Sequence, residues 1–353
     1  MEPLTQRLRD VPAQAAARRL AGDILALADR EGILPTLAAK APVALPPLCA
    51  ALEAEIGYRL TGESRRRMVV LLLELLEACG WAREVAGRWH WLGEPSAIPG
   101  AGSEAISPDG QMEFFRRCLE AVPAYLRGAA PAVVFAEPDV AIWDRFLGCE
   151  EFQTCRALLL ELMRLENDSR IRLLDLCHGP GWGLQAVQAR FPAVQVTALD
   201  FTDAFAAVAR ARAAAPPRSP AIAWVGRERW RGFGDRLPFG DGAFDAVLFS
   251  CGEPYVPSAL RRDLYGDISR VLGPGGTLGV LTRSRPARPP AGAREWLGLF
   301  ALAHDFAESV CAGWAGFSTA TERIRCFTEA GFEAPQCMLD GSLWVVRKPR
   351  GGG

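Results

Sequence analysis

Asp175, His178 and Asp200 are the residues of this chain best spaced to do chemistry together, and they stand around glycines at 179, 181 and 183. The apolar run Leu173-Leu174-Asp175-Leu176 has the length of a strand and breaks at once into the glycine turn. A helical pattern follows, and a β-branched run from Val194 ends on Asp200. Strand, glycine turn, helix and strand spell a βαβ unit. The glycines let backbone come close to a ligand at the start of the helix, and an acid about 20 residues further on accepts hydrogen bonds from ribose hydroxyls. The chemistry on offer is the binding of a nucleotide-type cofactor.

Two residues choose between cofactors. A dinucleotide fingerprint places its third glycine where Leu184 stands here. Asp175, at the strand end before the glycines, would repel a pyrophosphate and suits a cofactor that carries ammonium and sulfonium charge. S-adenosylmethionine is such a cofactor. The stretch resembles the first motif, Asp-x-x-x-Gly-x-Gly, of the class I S-adenosylmethionine-dependent methyltransferases, whose second strand ends in a ribose-binding acid. Three later runs also resemble that family. Leu237-Pro238-Phe239-Gly240-Asp241-Gly242-Ala243-Phe244-Asp245 is similar to its turn into strand four. Ile268-Ser269-Arg270-Val271-Leu272-Gly273-Pro274-Gly275-Gly276-Thr277 is similar to the helix, turn and fifth strand. Thr328-Glu329-Ala330-Gly331-Phe332 with Gly341-Ser342-Leu343-Trp344 is similar to the last helix and closing strand. The resemblance covers about residues 166 to 349 and implies cofactor contacts from Asp175, His178, Gly179, Gly181, Asp200, Phe201, Ser250 and Cys251. Adenine falls to Asp235 through a polar contact or to Phe233 through stacking. His178 either donates to the cofactor carboxylate or only shapes the turn.

Methyl transfer from a sulfonium is an in-line displacement, so holding the acceptor within reach supplies most of the catalysis and a base is optional. Plant-type relatives carry a catalytic His just past strand four. This chain reads Ser250-Cys251-Gly252-Glu253-Pro254-Tyr255 there. The candidates for assistance are Glu253, Tyr255 and His304, the last from an insertion at residues 283–320 that is expected to build the acceptor site. The bland alternatives are a paired loop acid, a wall residue and a satisfied core histidine.

The elements that position these groups read as an α/β Rossmann-like domain over 166–353, connecting helices over 106–165, and a mostly α-helical winged-helix domain over 1–105. In the N-terminal part Ala17, Leu20, Ile24, Leu27 and Ala28 recur at helical spacing, and two strand-like runs flank Ala86-Gly87. This part resembles the dimerisation domain of small-molecule O-methyltransferases, which implies a homodimer. Arg65, Arg66 and Arg67 form the one dense basic run and open a helix that turns apolar, so DNA binding is disfavoured. Pro95 to Gly110 reads as a linker. A formal charge of −1 over 353 residues provides no field for nucleic acid or an anionic membrane. Ten scattered cysteines without a Cys-x-x-Cys pair argue against zinc and against a disulfide framework. No signal peptide or membrane span is legible, so a cytoplasmic protein is expected. The expected acceptor is a small, partly aromatic or apolar molecule. Two rival readings keep parts of this picture: an enzyme that uses the bound cofactor without transferring its methyl group, and a winged-helix regulator with a ligand-sensing Rossmann domain.

Overall fold

The computed structural model describes residues 13–93, 110–214, 222–287 and 295–350. The chain divides into two compact units that interleave in sequence: Val11–Val134 with Arg285–Gly316, and Phe135–Ser284 with Phe317–Gly353. The sequence reading drew its boundaries at 105 and 165 instead. The first of these, with most of the expected linker, lies outside the described residues.

The helical unit begins with α1 (Ala13–Arg30), α2 (Ile33–Lys40), α3 (Leu45–Ile56) and α4 (Glu63–Ala78). The apolar stripe of α1 is buried from Ala17 to Ala28, and Gly32, at φ 82°, ends one helix and starts the next. Strands β1 (Ala82–Val85) and β2 (Arg88–Trp91) pair as an antiparallel hairpin. Its turn residues Ala86 and Gly87 both take positive φ, the geometry that matches strand twist in a two-residue turn. Val43 pairs with Trp89 and ties the hairpin to the α2–α3 connection. Helix α5 (Gly110–Leu126) completes this unit before the chain leaves it.

The second unit opens with α6 (Val140–Leu147) and α7 (Glu150–Met163). A βα alternation follows: β3 (Arg172–Leu176), α8 (Trp182–Arg190), β4 (Gln195–Leu199), α9 (Ala206–Ala213), β5 (Ala223–Val225), β6 (Phe244–Ser250), α10 (Arg261–Val271) and β7 (Leu272–Leu281). After β7 the chain returns to the helical unit for α11 (Glu295–Glu308), then closes the sheet with α12 (Ala320–Glu329), β8 (Gln336–Met338) and β9 (Leu343–Arg347). The sheet order is β5-β4-β3-β6-β7-β9-β8, parallel from β5 through β7 and antiparallel where β9 pairs with β7 and β8. Leu173, Leu174 and Leu176 and the run Ala246–Phe249 are fully buried, as strands covered on both faces must be. Phe244 pairs with Leu272 and Ala246 with Thr277, so the Gly-Pro-Gly-Gly run bulges out of β7. Successive strands run outward in opposite directions from β3 and β6. The carboxyl ends of that pair are the switch point where open α/β sheets bind ligands.

The insertion departs from expectation. Helix α11 packs on α1, α4 and α5, and its Phe300, Leu302, Ala303, Phe306 and Ala307 are all buried. Its His304, Asp305 and Glu308 are buried as well, so the helix is enclosed around its circumference and is a core element of the helical unit. No helix among the described residues is long and apolar enough to cross a membrane.

Candidate active site

The switch point gathers most of the residues expected at the cofactor. Cys177 leaves β3 with φ 60° and donates its amide to the Leu199 carbonyl at 2.8 Å, which holds the glycine turn beside the end of β4. Asp200 follows β4 and is 4% exposed. Its Oδ2 accepts from the Gly179 amide at 2.8 Å and its Oδ1 from the Thr202 amide at 3.1 Å. His178 spans the same turn: Nδ1 donates to the Gly179 carbonyl at 2.8 Å and lies 4.0 Å from Asp200 Oδ2. That geometry matches the turn-shaping alternative for His178. Burial pushes the Asp200 carboxyl up, against the pull of His178 and the turn amides.

The glycines divide the work differently from the sequence reading. A Cβ on Gly181, at φ 88°, would meet Ala209 Cα at 2.9 Å, so this position serves the packing of α9 on the turn rather than ligand approach. Its substitution would report on folding. A Cβ on Gly183 would come within 2.7 Å of Asp175 Oδ2, so the bare backbone there makes room for the carboxylate. At Gly179 the same atom meets only Leu147 Cδ1, at 3.7 Å, which leaves Gly179 as the open edge of the turn.

Asp175 is the group whose surroundings call for a ligand. It is 1% exposed, and Oδ2 is buried without a hydrogen-bond partner. Burial pushes its carboxyl up to about 8; the Arg156 charge opposes the shift and Asp200 adds to it. Arg156, on α7, is a functional candidate that sequence reasoning missed. It is 3% exposed, donates from Nε to Ser250 Oγ at 3.1 Å and from Nη1 to the Leu147 carbonyl at 2.7 Å. The signal for it was a single cation inside an otherwise apolar helical stretch, Cys155-Arg156-Ala157-Leu158-Leu159-Leu160.

Of the two adenine candidates, Phe233 packs on Phe201 with ring centres 5.4 Å apart, directly after Asp200. Asp235 is exposed, accepts from the Arg231 amide, and lines a cleft of about 520 Å³ with Arg236, Arg262, Asp267 and Glu329. No residue of the glycine turn lines that cleft, whereas Phe233 lies against Phe201, the residue that follows Asp200.

Past β6, Cys251 takes φ 61° and the chain enters a 3-10 turn, Glu253–Tyr255. Glu253 is 1% exposed. Its Oε1 accepts from Ser318 Oγ at 2.6 Å and its Oε2 from Arg323 Nη2 at 3.0 Å and Thr282 Oγ1 at 3.3 Å, while Arg261 Nε lies 3.8 Å away. Burial raises this carboxyl, but Arg323 and Arg261 with Ser318 outweigh it and hold it below its ordinary range. A carboxylate so paired is a poor proton acceptor, and its geometry is that of an anchor for the turn. Tyr255 packs edge-on against Phe135 at 4.9 Å and Trp143 at 6.1 Å, a wall position. His304 belongs to the helical unit, 3% exposed, with Nε2 2.5 Å from Glu308 Oε2 and its ring stacked on Trp314 and edge-on to Phe115. It is the satisfied core histidine of the bland alternative, because two aromatic faces and a carboxylate enclose it. Among the described residues no cluster of three or more His, Cys, Asp or Glu is arranged to hold a metal.

Residues 173–276 match the protein-family model described as a methyltransferase domain, and that span runs from β3 into β7. These residues form a class I methyltransferase domain. S-adenosylmethionine is the cofactor of this class, and the residues of the methyltransferase domain fit it. The partnerless Asp175 oxygen offers an acceptor for an ammonium group, and Asp200 at the end of β4 offers one for ribose. The domain is similar to a ubiquinone/menaquinone biosynthesis C-methyltransferase from Methylobacterium nodulans, 35% identical over 34% of this chain and 45% of the relative. It is likewise similar to a demethylmenaquinone methyltransferase from Thermus thermophilus, 35% identical over 33% of this chain and 49% of the relative. The chain spans about half the length of these curated relatives. In fold it is similar to the CurJ carbon methyltransferase, with a TM-score of 0.68 at 15% identity over 99% of this chain and 96% of that one.

Proposed function

We propose that the protein transfers the methyl group of S-adenosylmethionine to a small, partly aromatic or apolar acceptor. The observation that carries this reading is the buried, partnerless oxygen of Asp175 at the switch point, one strand away from Asp200. In this reading Asp175 holds the ammonium group, Asp200 and the glycine turn hold the ribose, and Phe201 with Phe233 flanks the adenine. The cofactor supplies an electrophilic methyl group when bound. The chain's part is then to place the acceptor atom on the sulfur–carbon axis, which is worth most of the barrier reduction in a displacement of this kind. Support for the acceptor class comes from the rings of Phe135, Trp143, Phe201 and Tyr255 around the ends of β4 and β6. The names of the two curated relatives add support for an apolar, ring-bearing acceptor, methylated at carbon in one of them. With Glu253 held by two arginines, the reading favours an acceptor that needs no strong base from the protein.

The test is S-adenosylhomocysteine formation with a panel of small aromatic acceptors, with calorimetry of cofactor binding alongside. Asp200→Ala should weaken S-adenosylmethionine binding by about 2–3 kcal/mol, the worth of hydrogen bonds to a charged acceptor. An unchanged affinity would remove Asp200 from the site, and the absence of any cofactor binding by the unmodified protein would end the reading. A homodimer formed through the helical unit completes the proposal. Val85 and Leu92, flanking β2, are apolar and 49% and 52% exposed. Light scattering should return twice 38.2 kDa, and a stable monomer would contradict it.

A further inference from the structure

The helical unit is assembled from two stretches of chain, Val11–Val134 and Arg285–Gly316, and the whole matched methyltransferase segment lies between them in sequence. The second stretch, which carries α11, is therefore held in this unit by packing and hydrogen bonds rather than by a neighbouring turn of chain. Two cysteines meet where the stretches come together. Cys118, on α5, is fully buried, and Cys311, just past α11, is 3% exposed. Their Sγ atoms lie 3.8 Å apart although the residues are 193 positions apart in the chain.

The contact is fixed from both sides. Val133 bridges to Cys311, the Ala132 amide donates to the Val310 carbonyl at 3.1 Å, and the Ala312 amide donates to the Val133 carbonyl at 2.9 Å. Arg117, the residue before Cys118, donates from Nη2 to the Ala132 carbonyl at 3.1 Å. The chain beside each thiol is thus tied to the same pair of residues, and this framework holds the sulfurs face to face. A disulfide places its sulfurs about 2.05 Å apart, so these must approach by about 1.8 Å, a step within reach of side-chain rotation.

We propose that Cys118 and Cys311 form a dithiol that hydrogen peroxide oxidises, and that the resulting disulfide staples the α11 stretch to α5. Peroxide suits the site because buried sulfurs admit a molecule near the size of water and exclude a bulky disulfide oxidant. Cys311, the less buried of the two, reacts first. Its Sγ takes one peroxide oxygen as the O–O bond breaks, which gives a sulfenic acid, and the other oxygen leaves with the thiol proton as water. Cys118 Sγ then attacks Cys311 Sγ. The S–S bond forms, the S–O bond breaks, and hydroxide departs with the Cys118 proton as a second water. The two thiols lose two electrons and the peroxide gains two. Because the second sulfur is already in contact, ring closure outruns further oxidation of Cys311, and the product is the disulfide rather than a sulfinic acid. The closed loop spans 193 positions, and a cross-link takes more conformational freedom from the unfolded chain the longer the loop it closes. It also supplies the covalent continuity that the two stretches of the helical unit lack in sequence.

Hydrogen peroxide treatment of the intact chain, followed by alkylation in denaturant and peptide mapping, tests it. The map should show Cys118 joined to Cys311, and dithiothreitol should restore both thiols. Thermal unfolding followed by circular dichroism should move upward by about 5–15 °C on oxidation and fall back on reduction. Cys118→Ala should change the product: Cys311 stops at a sulfenic acid that a cyclic 1,3-dione traps, and the thermal midpoint does not rise. Exposed Cys337 serves as the internal gauge of exposure to peroxide. Both thiols intact under conditions that oxidise Cys337 would overturn the proposal, and so would a cross-link from either of them to a different cysteine. A Cys118→Ala protein that gained the same reducible thermal shift would place the staple elsewhere and overturn it as well. Should Cys118→Ala not fold, the map and the reducible shift of the unmodified protein decide the matter alone.

Discussion

Glu253→Ala lowers the stability of the sheet-bearing unit by about 3–5 kcal/mol, the cost of leaving buried charges without their partner. The variant takes the carboxylate from Arg323, which is 1% exposed, weakens the charge balance beside Arg261, and removes an acceptor of Ser318 and Thr282 at the same time. Glu253→Gln keeps the size and one acceptor oxygen but none of the charge, so it should lose a similar amount. The two substitutions then separate an anchor from a catalyst. A catalytic base replaced by Gln leaves a native fold and a slow enzyme, whereas an anchor replaced by Gln melts early. Urea unfolding followed by tryptophan fluorescence reads the difference, because Trp344 lies 5.3 Å from the Arg323 guanidinium. A native midpoint for Glu253→Gln with a strongly reduced rate would return Glu253 to the acceptor chemistry.

The second large effect is a pH dependence set by Asp175. Its carboxyl is raised from near 4 to about 8, burial being the main cause. The folded protein therefore keeps a proton that the unfolded chain has released across this interval. Stability from this group is fully present below about pH 4 and is lost as pH rises toward 8, on the order of 5 kcal/mol over the whole window. Asp175→Asn should flatten that slope, leaving the smaller share that comes from the raised Asp200 carboxyl. Cofactor binding gives a second readout. An ammonium group placed on Asp175 favours the carboxylate, so binding near pH 7 should release about one proton. Titrations in buffers of different ionisation enthalpy measure it directly. Binding with no proton release in the unmodified protein would mean that Asp175 does not meet the ammonium.

The interleaving of the two units shows why the candidate site was legible only in part. Periodicity and turn chemistry are short-range, and they located the βαβ unit and the hairpin at Ala86-Gly87, whereas the expected Pro274 turn became a bulge within β7. They do not say which unit a helix joins. Helix α11 looked like an acceptor wall because it follows β7, yet it packs on α1, α4 and α5 and is buried inside the helical unit. The unbroken apolar run Leu299-Phe300-Ala301-Leu302-Ala303 was the available sign that the helix needed enclosure.

By itself the sequence determined the strand-turn-helix order, the acid before the glycines and the acid after the second strand, because each depends on neighbours within about one supersecondary unit. It also determined the class of cofactor, through the charge that Asp175 brings to the strand end. Only the tertiary structure decided what those charges meet. Glu253 became an anchor because Arg261, Ser318 and Arg323 arrive beside it from other elements. His304 became core because Glu308, Trp314 and Phe115 close around it. Gly181 became a packing position because α9 crosses the turn at Ala209. Arg156 was left with neutral hydrogen-bond partners, and Asp175 with an oxygen that meets no donor, because folding brings those groups and no others to them. The physical reason is the same in each case: a titratable group's role depends on its burial and its neighbours, and both are set by contacts between residues far apart in the chain.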